Sequence, residues 1–347
     1  MPGHQLFQQP SQLHPRIRLT HTLIAMFFIA ACALPTSVTA QHTAKNTAPD
    51  AVWPNKPVRI LVGFPGGSTP DTAARTLAEP LSKVLGQPVI IENKPGASGN
   101  IAADQVAKAT DDHTLAIVIN GNLTSAKLLY PKLPYDPAKD FTPISLIATA
   151  PLVLVAPPNL PSGAEFFNAA RTAGNQWNYG SVSNGSVGHL GMELLKSRTG
   201  DLAAVHIPYQ GNPQVVTALL GGQIQMALIP PGIALPQIRA GKLKAIGLTS
   251  GRSALAPEIA SLADAEVRDF NLEVWTALVG PTNLSKAAKA RLTQEVSKII
   301  RDSDTRQKLF NQGWQAVGTS PEGLTSRIRS ETAVMGGIIR MRNIKID

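Results

Sequence analysis

The sequence predicts two α/β lobes, with the chain crossing between them twice. Three observations carry this. From about Trp53, short β-branched runs alternate with segments of helical period. The strands are apolar almost throughout, as strands buried on both faces must be. Two strong strand patterns, Pro151 to Ala156 and Glu273 to Val279, stand where one alternating block gives way to another and where the chain returns.

The elements follow in order. Val58 to Val62 is a strand, and Ala73 to Leu85 has helical spacing, with Ala74, Leu77, Ala78, Leu81 and Leu85 on one face. Val89 to Ile91 is a strand, Asn100 to Ala109 a helix and Leu115 to Ile119 a third strand. Strands separated by helices at this spacing predict parallel pairing with right-handed crossovers. Pro131, Pro134, Pro137 and Pro143 predict an irregular stretch. A second block then alternates: a helix near Phe166, a strand at Asn178 to Ser181, a helix from Val187 and a strand at Ala204 to Ile207. It continues with a helix from Pro213 and strands at Gln225 to Ile229 and Leu243 to Leu248. Terminal helices start at Ser285, near Asp304 and at Pro321.

The expected organisation is a leader over 1–40, a flexible segment over 41–52, one lobe from 53–152 with 275–347, and a second from 153–274. Two crossings make a hinge, and the cleft between hinged lobes is a natural ligand site. Two independent units on one linker is the alternative this pattern leaves open.

Composition narrows the function. The chain has 347 residues, 43% hydrophobic and 16% charged, with mean hydropathy +0.01, so it can bury cores and is not a self-repelling disordered chain. Its net charge is +9, but the positive residues are scattered and form no basic arm. Aromatic residues are only 5%, a thin supply of stacking platforms, so nucleic acid is not an expected partner.

Arg16 and Arg18 precede an apolar run from Leu23 to Leu34, which is too short to span about 30 Å of hydrocarbon. Val38-Thr39-Ala40 supplies small residues for cleavage after Ala40, the pattern of a secretory leader. The one cysteine, Cys32, lies inside the apolar run, so the processed chain has no disulfide or thiolate metal site. Ile29-Ala30-Ala31-Cys32 also fits the pattern before a lipid-modified cysteine, which would leave the protein anchored.

Two loops stand out. Gly63-Phe64-Pro65-Gly66-Gly67-Ser68-Thr69-Pro70-Asp71 follows the first strand and opens a helix, with Thr69 suited to the N-cap and Pro70 to the first helical position. Glycines let several N–H groups turn toward one point, and the helix dipole makes that point attractive to an anion. No Lys follows the glycines, so this is no Walker loop, and the dinucleotide G-x-G-x-x-G is absent. The second loop, Tyr179 to Leu190, also joins a strand to a helix, with Ser186 as N-cap. It is rich in hydroxyls and amides and has no Lys or Arg. Facing each other, the two loops would clamp an anion with neutral donors. Either loop taken singly is also an ordinary Gly-rich turn.

Signatures of catalysis and metal binding are missing. No serine lies in a G-x-S-x-G elbow, and no H-E-x-x-H occurs. His42, His113, His189 and His206 include no pair at i,i+4 spacing. Neither an enzyme nor a cofactor is expected.

The stretch Arg59-Ile60-Leu61-Val62-Gly63-Phe64-Pro65-Gly66-Gly67-Ser68-Thr69 resembles the opening of the Bug-type receptors, the substrate-binding proteins of tripartite tricarboxylate transporters. Further similar motifs follow in order: Leu85 to Asn100, Tyr179-Gly180-Ser181, Gly188-His189-Leu190, Ile207 to Gly211, Leu219 to Gln223, Ala240 to Leu243 and Asn343-Ile344-Lys345. The set spans about Trp53 to Asp347.

The resemblance implies a class II periplasmic-binding-protein fold that closes on a small carboxylate in the periplasm. It also implies a monomer that delivers its ligand to a two-subunit membrane permease. Carried over by motif, the first cradle is Phe64, Gly66, Gly67, Ser68 and Thr69, and the second is Ser181, Ser183, Asn184, Ser186 and His189. Asn120 matches a position lining the family cleft, and Tyr209 and Gln210 are further candidates. Two departures bear on this. Pro70 separates Thr69 from Asp71, which shifts the helix start, and Leu228-Ile229-Pro230-Pro231 lacks an acid that could meet a ligand ammonium. A receptor of the same fold that signals to a membrane kinase without transport is the alternative function.

Overall fold

The computed structural model describes Trp53–Ile346. The leader through Ala40, the alternative anchor Cys32 and the segment 41–52 lie outside the described residues. No helix among the described residues is long and apolar enough to cross a membrane.

Two sheets organise the chain. The strands are β1 (Val58–Val62), β2 (Val89–Asn93), β3 (Thr114–Ile119), β4 (Phe141–Pro151), β5 (Val153–Ala156), β6 (Asn178–Ser181), β7 (Val205–Pro208), β8 (Met226–Ile229), β9 (Lys244–Leu248), β10 (Glu273–Pro281) and β11 (Gln315–Ala316). One sheet has the order β11-β4-β10-β3-β1-β2 and the other β7-β6-β8-β5-β9. The helices are α1 (Thr69–Leu85), α2 (Asn100–Ala107), α3 (Asn120–Leu123), α4 (Ala126–Leu129), α5 (Gly163–Ala173), α6 (Val187–Arg198), α7 (Asn212–Leu220), α8 (Pro231–Arg239), α9 (Lys286–Arg301), α10 (Ser303–Asn311) and α11 (Pro321–Met341).

The alternating burial explains the apolar strands. In β3, Leu115, Ile117 and Ile119 join one core while Ala116 and Val118 join another on the opposite face. In β5, Val153 and Val155 pack into one core and Leu154 and Ala156 into a different one. Both faces of each sheet are therefore covered, and period-two polarity disappears.

Pairing corrects one expectation. The spacing predicts parallel sheets, but both are mixed. β1 pairs with β2 and β3 in parallel, and β6 with β7 and β8. β10 lies antiparallel between β3 and β4, and β5 antiparallel between β8 and β9. These strands bring the chain in from the other sheet, so no helical crossover sets their direction.

The region around Pro143 is a second correction: it is an eleven-residue strand, β4, where prolines predict irregular structure. Pro143 is tolerated because the register slips beside it and because β11 pairs only with Ala148 and Thr149. Helix α8 was likewise hidden, by prolines at its start and at Pro236.

The two passages between sheets touch at Thr249. Only Leu152 separates β4 from β5, and Leu272 immediately precedes β10. The fully buried Thr249 hydroxyl accepts from the Leu152 N–H at 2.8 Å and donates to the Leu272 carbonyl at 2.6 Å. Its backbone bonds the same two residues. The isosteric change Thr249→Val leaves a buried N–H and a buried carbonyl each short of one partner. It should cost about 2–6 kcal/mol, at roughly 1–3 kcal/mol per orphaned group. Urea denaturation of the variant measures this, and an unchanged midpoint would contradict the stapling role.

Candidate functional site

The first loop leaves β1 at Gly63, where space forbids any side chain: a Cβ there would lie 2.5 Å from the Gly99 Cα. Gly99 in turn sits at φ +84° under the Phe64 ring. These contacts bring the loop ending at Gly99 against the first cradle. Helix α1 starts at Thr69 with Ser68 in the cap position, one residue earlier than the sequence suggests. Asp71 supplies the missing cap from inside the first turn. Its Oδ2 accepts from the Gly67 N–H at 2.9 Å, and it also receives Arg75 and the Asn93 amide, which in turn holds the Phe64 carbonyl. Burial alone would raise the Asp71 pKa, but these donors outweigh it and hold the carboxylate below its usual range.

The second loop leaves β6 at Ser181. Ser186 caps α6, its Oγ accepting from the His189 N–H at 3.2 Å and donating to the Ser183 carbonyl at 3.0 Å. Ser183 stands at φ +151°, an angle L-residues seldom adopt, a form of strain common at functional sites. The Ser181 hydroxyl donates to the same Ser183 carbonyl at 2.9 Å, so the His206 Nε2, 2.8 Å away, is its donor.

Behind this loop lies a ring stack. His189 and His206 stack at 3.9 Å and 9°, with the Tyr179 ring 4.9 Å from His206 and 6.3 Å from His189. His189 Nδ1 accepts from the Gly185 N–H at 3.0 Å. Burial pushes His189 down to about 4, and burial with the adjacent His189 pushes His206 down to about 3. Both rings are neutral at pH 7, and both brace the loop from behind.

The loops meet across the cleft. Asn212 Nδ2 donates to Thr69 Oγ1 at 2.8 Å, and Ser125 Oγ donates to the Gly185 carbonyl at 2.6 Å. Three adjoining cavities fill the space between the sheets. Phe64 and Val182 line both the first and the third, Ile119 the first and second, and Ser98, Ser183 and Asn184 the second and third. Among the described residues, no charged side chain lines any of them. The beginnings of α1, α6, α7 and α8 converge on the first cavity, through Thr69, Val187, Asn212 and Pro230. First-turn N–H groups lack helical acceptors, so this convergence gives a positive field without a cation.

Two hydroxyls stand out here. Ser68 Oγ and Ser183 Oγ are buried with no hydrogen-bond partner, one on each loop, and each residue lines a cavity. Such groups are costly unless something bonds them.

The structure thus brings Phe64, Ser68, Thr69, Ser183, Asn184 and Ser186 together around the cleft. Gly66 and Gly67 are exposed, beside the cleft rather than on it. Ser181 and His189 stand behind the second loop. Asn120 turns its amide to the Glu331 carboxylate at 2.6 Å and to the Glu273 carbonyl, although its Oδ1 is also buried without a partner. Tyr209 and Gln210 line the third cavity. The sequence reading passed over Asn212 and Ser125. Gly211-Asn212-Pro213 is another glycine-led strand-to-helix turn and was open to the same argument, whereas Ser125 carries no sequence signal.

A pH prediction follows from the ring stack. Each folded-state pKa lies below the unfolded value of about 6.5, so the stability is present above that value and is lost as pH falls toward the folded value. Each such histidine should cost about 2 kcal/mol between pH 7 and pH 5. His206→Gln keeps a donor for Ser181 and removes one titration, so urea unfolding should show about 2 kcal/mol less loss over that interval. An unchanged pH slope would contradict the buried neutral ring.

A family model described as the tripartite tricarboxylate transporter family receptor matches residues 73–344. BugT of Bordetella pertussis is 31% identical, over 85% of this chain and 91% of its own. MatC of Rhodopseudomonas palustris, solved with bound malate, has a TM-score of 0.78 at 30% identity, covering 83% of this chain and 100% of MatC. A second R. palustris protein, solved with adipate, has a TM-score of 0.81 at 30% identity, over 84% and 99%. With this two-lobed fold, the chain belongs to the receptor family of the tripartite tricarboxylate transporters, the Bug-type receptors.

Proposed function

We propose that this protein is a periplasmic solute-binding receptor that captures a small carboxylate between its lobes and delivers it to a two-subunit permease. The observation that carries this reading is the pair of partnerless hydroxyls, Ser68 and Ser183, on opposed loops. A carboxylate offers lone pairs to both and to the first-turn N–H groups of the converging helices. Hydrogen bonds to a charged acceptor contribute about 1.5–3 kcal/mol each, so a few of them offset desolvation of the anion without a buried cation. Two relatives solved with malate and adipate support the ligand class.

The mechanism is closure. Lobes 53–152 with 275–347, and 153–274, turn about the Thr249 staple, and the ligand favours the closed form because only there do both loops reach it. Phe64, Ser68 and Thr69 form one jaw, with Gly66 and Gly67 at its exposed edge and Asn120 beside it. Ser183, Asn184 and Ser186 form the other, with Ser181 and His189 bracing it from behind. The leader directs the chain to the periplasm, and a monomer suffices for capture.

A thermal-shift screen of mono-, di- and tricarboxylates tests this. A ligand at 100 times its dissociation constant should add about 2.7 kcal/mol of stability. The variant Ser183→Ala should bind the best carboxylate roughly tenfold more weakly, the loss of one hydrogen bond to an anion. Stabilisation by sugars or cations and by no carboxylate would overturn the proposal.

A further inference from the structure

We infer that Glu193 is a positioning residue for ligand capture: held by Arg342 at the end of α11, it fixes the Ser183 loop by way of Tyr179 and His206. This rests on the receptor reading above. Glu193 lines none of the three cavities, so it acts only through what it holds. The residue that needs holding is Ser183. At φ +151° it is strained, and strain persists only where the surroundings over-determine it. Its carbonyl accepts from Ser181 Oγ at 2.9 Å and from Ser186 Oγ at 3.0 Å. Ser186 is fixed by its own helix, as the cap of α6. Ser181 is fixed from behind.

The support behind Ser181 is continuous. His206 Nε2 donates to Ser181 Oγ at 2.8 Å, and the Tyr179 ring packs 4.9 Å from the His206 ring. Tyr179 is fully buried, and its hydroxyl donates to Glu193 Oε1 at 2.6 Å. Lys196 donates to the same oxygen at 2.8 Å, and Arg342 Nε to Glu193 Oε2 at 3.3 Å. Burial alone would raise the Glu193 pKa, but these three donors outweigh it and hold the carboxylate below its usual range. The bond from the phenol is therefore charge-assisted, about twice as strong as a neutral one.

Arg342 brings in the other half of the molecule. Helix α11, which it follows, is seated on the first sheet: Arg327 meets Glu273 at the start of β10, and Glu331 accepts from the Trp275 N–H. The same helix packs on α6, which starts at the second jaw and carries Glu193. A helix built on the first sheet thus reaches behind the cleft to hold the loop of the second. The competing explanation is that the Ser181 and Ser186 hydroxyls hold Ser183 unaided. The two differ in energetic coupling, since groups that act through one another give non-additive losses.

Calorimetric titration with malate, succinate, glutarate and adipate tests this, at a temperature where urea curves show each variant to be folded. Glu193→Ala should bind the tightest of the four roughly tenfold more weakly, within the range set by releasing one strained residue. Glu193→Gln, which keeps an acceptor for the phenol, should recover most of that affinity. Added to Ser181→Ala, Glu193→Ala should cause no further loss. Hydrogen exchange gives a readout without ligand: residues 181–189 should exchange faster in Glu193→Ala, and residues 63–71 at the native rate. Tyr179→Phe keeps the ring stack and cuts the link, so it should reproduce each effect, and it stands in if Glu193→Ala does not fold. Native affinity, native exchange over 181–189 or additive losses in the double variant overturns the inference and leaves the receptor reading standing. If the native protein binds no carboxylate, the receptor reading falls separately, and the exchange rates decide whether Glu193 holds the loop.

Discussion

The proposed capture of an anion away from water, without a counter-charge, is the constraint to which the rest of the account is tied. In the proposed closure, a lysine or arginine in the cleft would have to be desolvated at a cost of several kcal/mol per ion. Hydroxyls and helix-start N–H groups give orientation at a smaller penalty. The cleft is built that way: its linings carry no charged side chain, and four helices begin around one cavity. The Asp71 carboxylate, in the first turn of α1, is turned inward, where it holds Gly67, Arg75 and Asn93.

The fold serves this arrangement by placing loops where strands give way to helices. The Gly63–Gly99 contact sets one jaw, and the His189–His206 stack backs the other. Neither support has to meet the ligand. They hold Ser68 and Ser183 at the cavities between the sheets, and the positive φ of Ser183 is a visible cost of doing so. The antiparallel strands β5 and β10 carry the chain between sheets, and Thr249 joins the two passages at one buried hydroxyl.

Much of this was legible in the sequence, for physical reasons that differ by element. The strand at Asn178–Ser181 and the helices from Val187 and Pro321 announce themselves by periodicity and caps. The antiparallel crossings were invisible, because an apolar strand reads the same in either direction. Strand β4 and helix α8 were masked by prolines that local geometry accommodates. In the candidate site, the glycine-and-hydroxyl loops could be read because their chemistry is local. The Thr69–Asn212 and Ser125–Gly185 bonds could not, since they join residues 143 and 60 positions apart. Nor could His189 be separated from the cleft-lining residues, because sequence does not say which side of a loop a ring supports.

The most direct measurement is a crystal structure of the protein with its tightest carboxylate bound. The account requires carboxylate oxygens within about 3.2 Å of Ser68 Oγ and Ser183 Oγ, with first-turn N–H groups completing the shell and no arginine or lysine in contact. A carboxylate held instead by a basic side chain, or seated outside the space between the two sheets, would contradict it.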